Sequence, residues 1–217
     1  MGGLIMASTI NADTTNGVVV TSDTSGEITL QSAGASVATV SNTGIAMASG
    51  KTLTGDAISN GKILQVLQAT KTNTFSTNSQ TFVDITDLAV TITPSSTSSK
   101  ILVFNQLQAG TNGHGTIKTV RTVGGTTSDI LVGDADGNRS RGNSKIWTST
   151  WGPTTCVAQL LDSPNTTSAV TYKVQCAVPY SASYYIHVNR AYSSSASSNF
   201  SYDVRSSSTI TVMEVGA

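Results

Sequence analysis

Residues 100–104 read Lys100-Ile101-Leu102-Val103-Phe104, and residues 208–215 read Ser208-Thr209-Ile210-Thr211-Val212-Met213-Glu214-Val215. Both stretches are rich in β-branched and large apolar side chains, which is typical of β-strands. Successive side chains of a strand point to opposite faces, so apolar residues at odd and even positions predict that both faces are covered. One face would line a core. Another subunit is the simplest cover for the second face.

About ten strands of this kind are predicted from residue 61 onward, with Gly, Pro and Ser clusters between them. They lie at 62–69, 81–92, 100–108, 116–123, 128–133, 144–150, 154–161, 169–178, 184–190 and 208–215. No window carries apolar residues at the i, i+3, i+4 and i+7 spacing of a helix. Strands without helical crossovers pair antiparallel, so the sequence predicts an all-β fold with an antiparallel, jelly-roll-like β-sandwich.

The first third of the chain has a different composition, because all 12 aromatic residues lie at or after Phe75. Before it, aliphatic pairs such as Ile28 and Leu30 recur roughly every 7 to 10 residues, with Gly-containing turns between them. Such short strands gain stability by stacking on copies of themselves. We therefore predict an extended, intertwined β segment at 1–60, completed by sister chains, and a separate β-sandwich knob at 61–217. A disordered arm is the alternative for the first segment.

The charge balance is zero, with 12 Lys and Arg against 12 Asp and Glu. Charged residues make up 11% of the chain, against about 25% in an ordinary soluble domain, while Ser and Thr make up about 30%. Nothing in this balance favours nucleic acid or anionic lipid as a partner. No apolar run reaches the roughly 18 to 20 residues that a membrane span needs, and residues 1–6 lack the basic flank of a signal peptide. We expect neither membrane insertion nor classical export.

The two cysteines, Cys156 and Cys176, lie in consecutive predicted strands. If these strands form a hairpin in which residue 160 pairs with residue 172, the two thiols lie opposite each other on one face, and a cross-strand disulfide is conceivable. The favoured interpretation is two small buried apolar side chains in a chain made in a reducing cytoplasm.

Five segments carry a resemblance to a known family. They are Gly61-Lys62-Ile63-Leu64-Gln65-Val66-Leu67-Gln68, Ile92-Thr93-Pro94-Ser95-Ser96-Thr97-Ser98-Ser99-Lys100-Ile101-Leu102-Val103, Leu161-Asp162-Ser163-Pro164, Thr171-Tyr172-Lys173-Val174-Gln175 and residues 208–215. In order and spacing, 61–217 resembles the C-terminal domain of short tail-fibre or virion-appendage proteins of marine and freshwater bacteriophages, cyanophages included. Residues 16–18 and 24–30 are similar to the shaft or attachment segment of the same proteins.

The resemblance implies a homotrimeric structural protein of the phage particle, assembled in the host cytoplasm and displayed on the virion. Residues 1–60 would dock on other virion proteins, and the knob would attach to a glycan or protein receptor on the host surface. Tail fibre is the predicted role. The alternative is a capsid decoration or head-fibre protein that stabilises the capsid or projects from it, and a polysaccharide-degrading appendage is a third hypothesis.

The ionisable residues favour a protein that is not an enzyme and that uses no cofactor or metal. His114 lies in a predicted turn, and His187 alternates with apolar residues as a solvent-facing strand residue. A metal bound by three copies of His187 on a threefold axis is the less favoured alternative. Asp134 and Asp136 precede Gly137, but the spacing departs from a calcium loop, so an ordinary Asp-Gly turn is favoured.

Two groups of residues are the candidates for receptor binding. The first combines cations with tryptophans, and the second is rich in tyrosine. They comprise Arg139, Arg141, Lys145, Trp147 and Trp151, then Tyr184, Tyr185, Arg190 and Tyr192, with Tyr180 nearby. Guanidinium and aromatic groups together bind sugars and anionic polysaccharides, and tyrosines supply broad contact area. The alternatives are tryptophans in the core beside a solvated loop, and tyrosines that fill a trimer interface.

Overall fold

A computed structural model describes residues 25–52, 62–147, 152–192, 201 and 204–216. These residues contain fourteen β-strands and no helix, and every strand pairing among them is antiparallel. The predicted all-β, antiparallel class is confirmed. Among the described residues, no helix has the length and apolar character that crossing a membrane requires. The chain divides into two compact units, Met1–Ile58 and Ser59–Ala217, and sequence analysis placed the division after residue 60.

The described part of the first unit is a three-stranded meander of β1 (Ile28–Ser32), β2 (Ala35–Ser41) and β3 (Gly44–Met47). Ala33 and Gly34 connect the first two strands with φ of 50° and 79°, and a two-residue hairpin turn with two positive φ angles matches the twist of the strands. Each repeat is one short strand and one turn, as the sequence indicates. Residues 1–24 lie outside the described residues, and the intertwining with sister chains stays a prediction.

One face of this meander carries aliphatic side chains from all three strands. The register places Leu30 beside Ala38, which in turn pairs with Met47, and the neighbouring row holds Ile28, Val40 and Ile45. Leu30 is 49% exposed and Ile45 is 62% exposed. The three strands therefore leave part of their apolar face in contact with solvent.

The second unit contains eleven of the described strands. They are β4 (Ile63–Lys71), β5 (Phe75–Thr77), β6 (Val83–Ile92), β7 (Lys100–Thr111), β8 (His114–Val123), β9 (Thr126–Ile130), β10 (Ser144–Trp147), β11 (Thr154–Asp162), β12 (Val170–Ala177), β13 (Ile186–Val188) and β14 (Ser208–Val215). All ten predicted strands appear, although residues 148–150 of one lie outside the described residues. The short strand β5 was not predicted.

These strands form two sheets with a shared core. Sheet I runs β4–β14–β7–β11, and β13 and β5 continue it past the end of β14. Sheet II runs β10–β8–β12–β6, with β9 following β10 along the same edge of β8. Alternate residues of both sheets point inward. Leu107 and Val212 from sheet I and Ile117 and Tyr172 from sheet II are fully buried in one cluster.

The predicted hairpin between the two cysteine strands is wrong. Strand β11 pairs with β7 in sheet I, whereas β12 lies between β6 and β8 in sheet II. Both strands direct an apolar face into the same core, so the chain crosses from one sheet to the other between them. Cys156 and Cys176 are free and buried, which confirms the prediction of two small buried side chains.

Candidate functional site

The described residues of the second unit form a cleft of about 680 Å³ on the outer side of sheet II. The pairing of β8 with β10 builds its floor, because Trp147 lies opposite His114 and Lys145 lies opposite Thr116. Strand alternation sends Ile146, which is fully buried, into the core and its two neighbours outward. The lining residues in the loop before β10 are Asn138, Arg139, Ser140, Gly142 and Asn143. Pro179 and Tyr180, in the loop after β12, close the other side.

Four aromatic rings meet beside this cleft, and two of them, His114 and Tyr180, line it. The ring centroid of His114 lies 4.1 Å from that of Trp147, in an edge-to-face arrangement, and 5.3 Å from that of Tyr180. Tyr184 completes the group, stacked on Tyr180 at 5.9 Å. Trp147 is 60% exposed and Tyr180 is 73% exposed. Large aromatic side chains usually bury most of their surface, so the two rings form a platform that faces solvent.

The turn at residues 112–113 holds the platform in place. The Asn112 side chain accepts a hydrogen bond of 2.8 Å from the backbone N–H of Tyr185, and its amide donates one of 3.4 Å to the carbonyl of Ser183. The Tyr184 ring lies directly over Gly113, where an added Cβ would come within 2.4 Å of it. Glycine at this position therefore allows the ring to pack on the backbone and to support Tyr180.

Cationic groups border the aromatic platform. The Lys145 ammonium lies 4.6 Å from the centre of the Trp147 ring, a cation–π contact. Arg139 lines the cleft and forms an exposed ion pair with Asp136. The Nε of Arg141 donates a hydrogen bond of 2.7 Å to the carbonyl of Gly133. Arg141 thus ties the loop together but does not line the cleft.

The Asp134–Asn138 segment is an ordinary turn. Gly137 has a φ of 53°, and the backbone N–H of Arg139 donates to the carbonyl of Asp136 at 3.2 Å. Within the described ranges, no group of three or more His, Cys, Asp or Glu residues is arranged to hold a metal ion. The cleft offers hydroxyl, amide, cationic and aromatic groups, which suit recognition of a polar ligand through hydrogen bonds and stacking.

The remaining candidates form a second cluster around His187. Its Nδ1 lies 2.6 Å from the Ser76 hydroxyl and 2.8 Å from an Arg190 nitrogen, while the rings of Tyr185 and Tyr192 lie 5.9 and 5.5 Å away. Burial, together with the charge of Arg190, lowers the pKa of His187 to about 4. The prediction of a solvent-facing histidine is wrong, because only 8% of His187 is exposed.

The structure therefore divides the predicted candidates differently from the sequence. Lys145 and Arg139 line the cleft, and Trp147 and Tyr184 contact His114 beside it. Tyr185, Arg190 and Tyr192 instead surround His187. Trp151 lies outside the described residues. The alternative that Trp147 is a core residue is wrong, because its ring is largely exposed.

His114 contacts three of the aromatic rings, although the sequence does not predict it as a binding residue. It was interpreted as a turn residue, but it begins β8, directly after the turn at Asn112 and Gly113. Its place opposite Trp147 depends on the register of β8 with β10, two strands separated by a long loop. No local pattern in the sequence reveals that pairing.

No family model matches this chain, and no curated protein matches its sequence.

Proposed function

We propose that the protein is a non-enzymatic attachment protein of a bacteriophage tail and that its cleft binds an anionic glycan of the host surface. The observation that carries the proposal is the exposed platform of Trp147 and Tyr180, with Lys145 and Arg139 beside it. The apolar face of a sugar packs on an aromatic ring, and the hydroxyl groups of the sugar form hydrogen bonds with amide and hydroxyl side chains of the protein. A carboxylate on the sugar pairs with the cations.

The Trp147 and Tyr180 rings are exposed to solvent, yet each packs against the His114 ring. An exposed indole or phenol forgoes apolar burial worth about 25 cal/mol for each Å² left in water. Here the rings are nevertheless held in position by His114 and by the contact of Tyr184 with Gly113. Rings that are fixed before the ligand arrives lose little conformational entropy on binding, which favours a recognition surface.

The virion context comes from the resemblance of 61–217 to phage tail-fibre and appendage proteins. The order of eight strands supports a jelly-roll knob. Numbered along the chain, they are β4, β6, β7, β8, the short β10, β11, β12 and β14; the first, eighth, third and sixth lie in sheet I, and the second, seventh, fourth and fifth lie in sheet II. A homotrimer multiplies weak contacts, because after the first site binds, the others bind intramolecularly.

The first unit supports a docking role. The partly exposed aliphatic face that holds Leu30 and Ile45 would be covered by another virion protein or by sister chains. Antibody labelling of phage particles separates the two locations. Label at the tail supports the tail-fibre role, whereas label on the icosahedral faces supports the capsid decoration or head-fibre alternative.

Glycan binding is tested by titrating the full-length protein with acidic and neutral oligosaccharides prepared from host envelope. We expect Trp147→Ala and Tyr180→Ala to weaken binding at least tenfold. Tyr185→Ala removes an exposed aromatic ring outside the cleft and should change affinity less than twofold. Lys145→Gln should reduce the preference for acidic over neutral ligands. No binding to either fraction, or equal effects of all three aromatic substitutions, would overturn the proposal.

The same preparation tests the polysaccharide-degrading hypothesis. We expect binding without release of reducing sugar. Release by the wild-type protein, lost on Asp134→Asn or Asp136→Asn, would instead identify an enzyme.

A further inference from the structure

The outer face of sheet I carries a row of apolar side chains, with further apolar side chains beside it. Met213 in β14 pairs with Val66 in β4 on one side and with Leu102 in β7 on the other, and Leu102 pairs with Leu161 in β11. These four residues form one row across all four strands. Val66 and Leu161 are each 53% exposed, and the middle two are half-buried.

Apolar residues flank this row on both sides. Ile63 and Val215 pair in the row at one end of the sheet, and Phe104 pairs with Thr211 in the next row toward the other end. Val157 pairs with Gln106 one row further on. All of them point away from the core, because the intervening residues of these strands, such as Val103 and Val212, are buried in it.

The outer face of sheet II carries charged and hydrogen-bonded side chains. Lys173 and Asp84 form an ion pair of 2.8 Å there, and Lys118 and Asp129 form one of 2.7 Å. Threonine hydroxyls pair across its strands, Thr91 with Thr171 and Thr122 with Thr127. An antiparallel sheet whose outer face meets water carries polar side chains of this type. The outer face of sheet II therefore carries ion pairs, whereas the outer face of sheet I carries exposed apolar side chains beside hydrogen-bonded polar pairs such as Gln68 and Thr211.

We propose that the outer face of sheet I is the surface through which copies of this chain pack against one another. Among the described outward-facing residues of β4, β14, β7 and β11, one is charged: Lys100, at one end of the face. Its ammonium donates a hydrogen bond of 2.7 Å to the Ser163 hydroxyl. A partner of complementary charge finds little to pair with there. A second copy presents the same neutral surface, so its approach brings almost no like charges together.

The dimensions of the face account for part of such an interface. Four strands about 4.8 Å apart and about seven residues long at about 3.3 Å each give a flat area of roughly 450 Å². A typical stable interface takes about 800 Å² from each partner. The flat face is thus a little over half of that area, and exposed Leu64 on the edge strand adds to it. The face thus fits the apolar centre of a subunit interface.

Packing through sheet I leaves the cleft accessible. His114, Lys145 and Trp147 project from strands β8 and β10 on the outer side of sheet II. The assembly would therefore display one open cleft per subunit. The proposal does not depend on what the cleft binds, and glycan titration and mass measurement can fail independently.

The test is the mass of the full-length protein in solution, with Leu161→Lys as the variant and Thr91→Lys as its matched control on the other sheet. We expect the wild type and the control to sediment at a multiple of the 22.3 kDa chain mass. Leu161→Lys should dissociate at concentrations at least tenfold above those at which the wild type and the control dissociate. Circular dichroism checks that each variant keeps its β-structure.

A second variant covers the case in which the lysine prevents folding. Val66→Thr replaces one methyl group with a hydroxyl on the same face, and it should raise the dissociation constant several-fold in a folded protein. A wild type that sediments at 22.3 kDa overturns the proposal. So does an assembled mass that folded variants of this face retain, since the copies would then associate elsewhere.

Discussion

The Tyr172 hydroxyl donates a hydrogen bond of 2.7 Å to the Asp162 carboxylate across the core, from sheet II to sheet I. Arg121, which pairs with Tyr172 in the register of β12 and β8, donates to both carboxylate oxygens at 2.9 Å. Tyr172 is fully buried and Asp162 is 9% exposed. The two sheets are thus joined by a polar contact at the point where the chain passes from β11 to β12.

We expect Asp162→Ala to lower the free energy of unfolding by about 2–3 kcal/mol, because it leaves a buried phenol and a partly buried guanidinium without their acceptor. Tyr172→Phe removes one hydrogen bond to a charged group and should cost about 1.5 kcal/mol. Asp129→Ala breaks an exposed ion pair and should cost less than 1 kcal/mol. Urea denaturation measures all three. Equal losses for Asp162→Ala and Asp129→Ala would contradict the assigned role.

Acid stability should depend on Glu214. Burial raises the pKa of this carboxyl, but hydrogen bonds from the Ser95 hydroxyl and N–H and from the Gln65 amide outweigh burial and lower it from 4.5 to about 2. The unfolded chain therefore takes up the proton first as the pH falls. The stabilisation is complete above pH 4.5 and is lost between pH 4.5 and about 2.

Denaturation at a series of pH values checks this expectation. Glu214→Gln should cost about 1.5–3 kcal/mol at pH 7 and should flatten the decline below pH 4.5, whereas Asp134→Asn, at an exposed carboxyl, should leave the decline intact. A Glu214→Gln curve parallel to that of the wild type throughout this range would count against the hydrogen-bonded carboxylate.

His187 should produce a second, separate decline at higher pH. Burial and then the charge of Arg190 lower its pKa from 6.5 to about 4, so the unfolded chain binds the proton before the folded one does. Stability from the neutral ring is complete above pH 6.5 and falls between pH 6.5 and about 4. We expect His187→Gln to remove the slope in this window and Glu214→Gln to retain it. The same denaturation series measures this slope. Loss of the slope in both variants, or in neither, would contradict the assignment to His187.

Much of the second unit follows from local sequence, because alternation of apolar residues marks a strand wherever one face is buried. The stretch at 100–104 shows this, and its apolar residues at odd and even positions also predict a cover for its second face, which lies on the outer side of sheet I. The three-residue strand β5 is too short for alternation to be visible. Its Phe75 becomes a strand residue only through pairing with Val188, far along the chain.

Long-range pairing accounts for what the sequence did not predict. Strands β11 and β12 are neighbours in the chain, and neighbours often form hairpins, yet each satisfies its backbone groups with strands of a different sheet. The candidate binding site also depends on long-range pairing. Composition indicated Lys145 and Trp147, but only the β8–β10 register brings His114 to them, and only the loop after β12 adds Tyr180.

The cleft should be sensitive to the residue beneath Tyr184. A methyl group at position 113 would overlap the tyrosine ring at 2.4 Å, so Gly113→Ala must displace the ring and its stacked neighbour Tyr180. We expect weaker glycan binding, by about tenfold, with little change in the core. Gly133→Ala is the control, since nothing lies within 4 Å of its added Cβ. Isothermal titration of both variants measures the effect, and wild-type affinity in Gly113→Ala would show that ring placement does not matter.

The two cysteines should be unreactive in the native protein. Burial raises the pKa of Cys156 to about 11 and that of Cys176 to about 12, so neither forms the nucleophilic thiolate near pH 8. We expect a disulfide-exchange reagent at pH 8 to release almost no chromophore from the native protein and two equivalents per chain in urea. A reductant should change neither result, because both thiols are free. Rapid native labelling would mean that the core opens readily, and two equivalents appearing only after reduction would mean that the thiols are bridged.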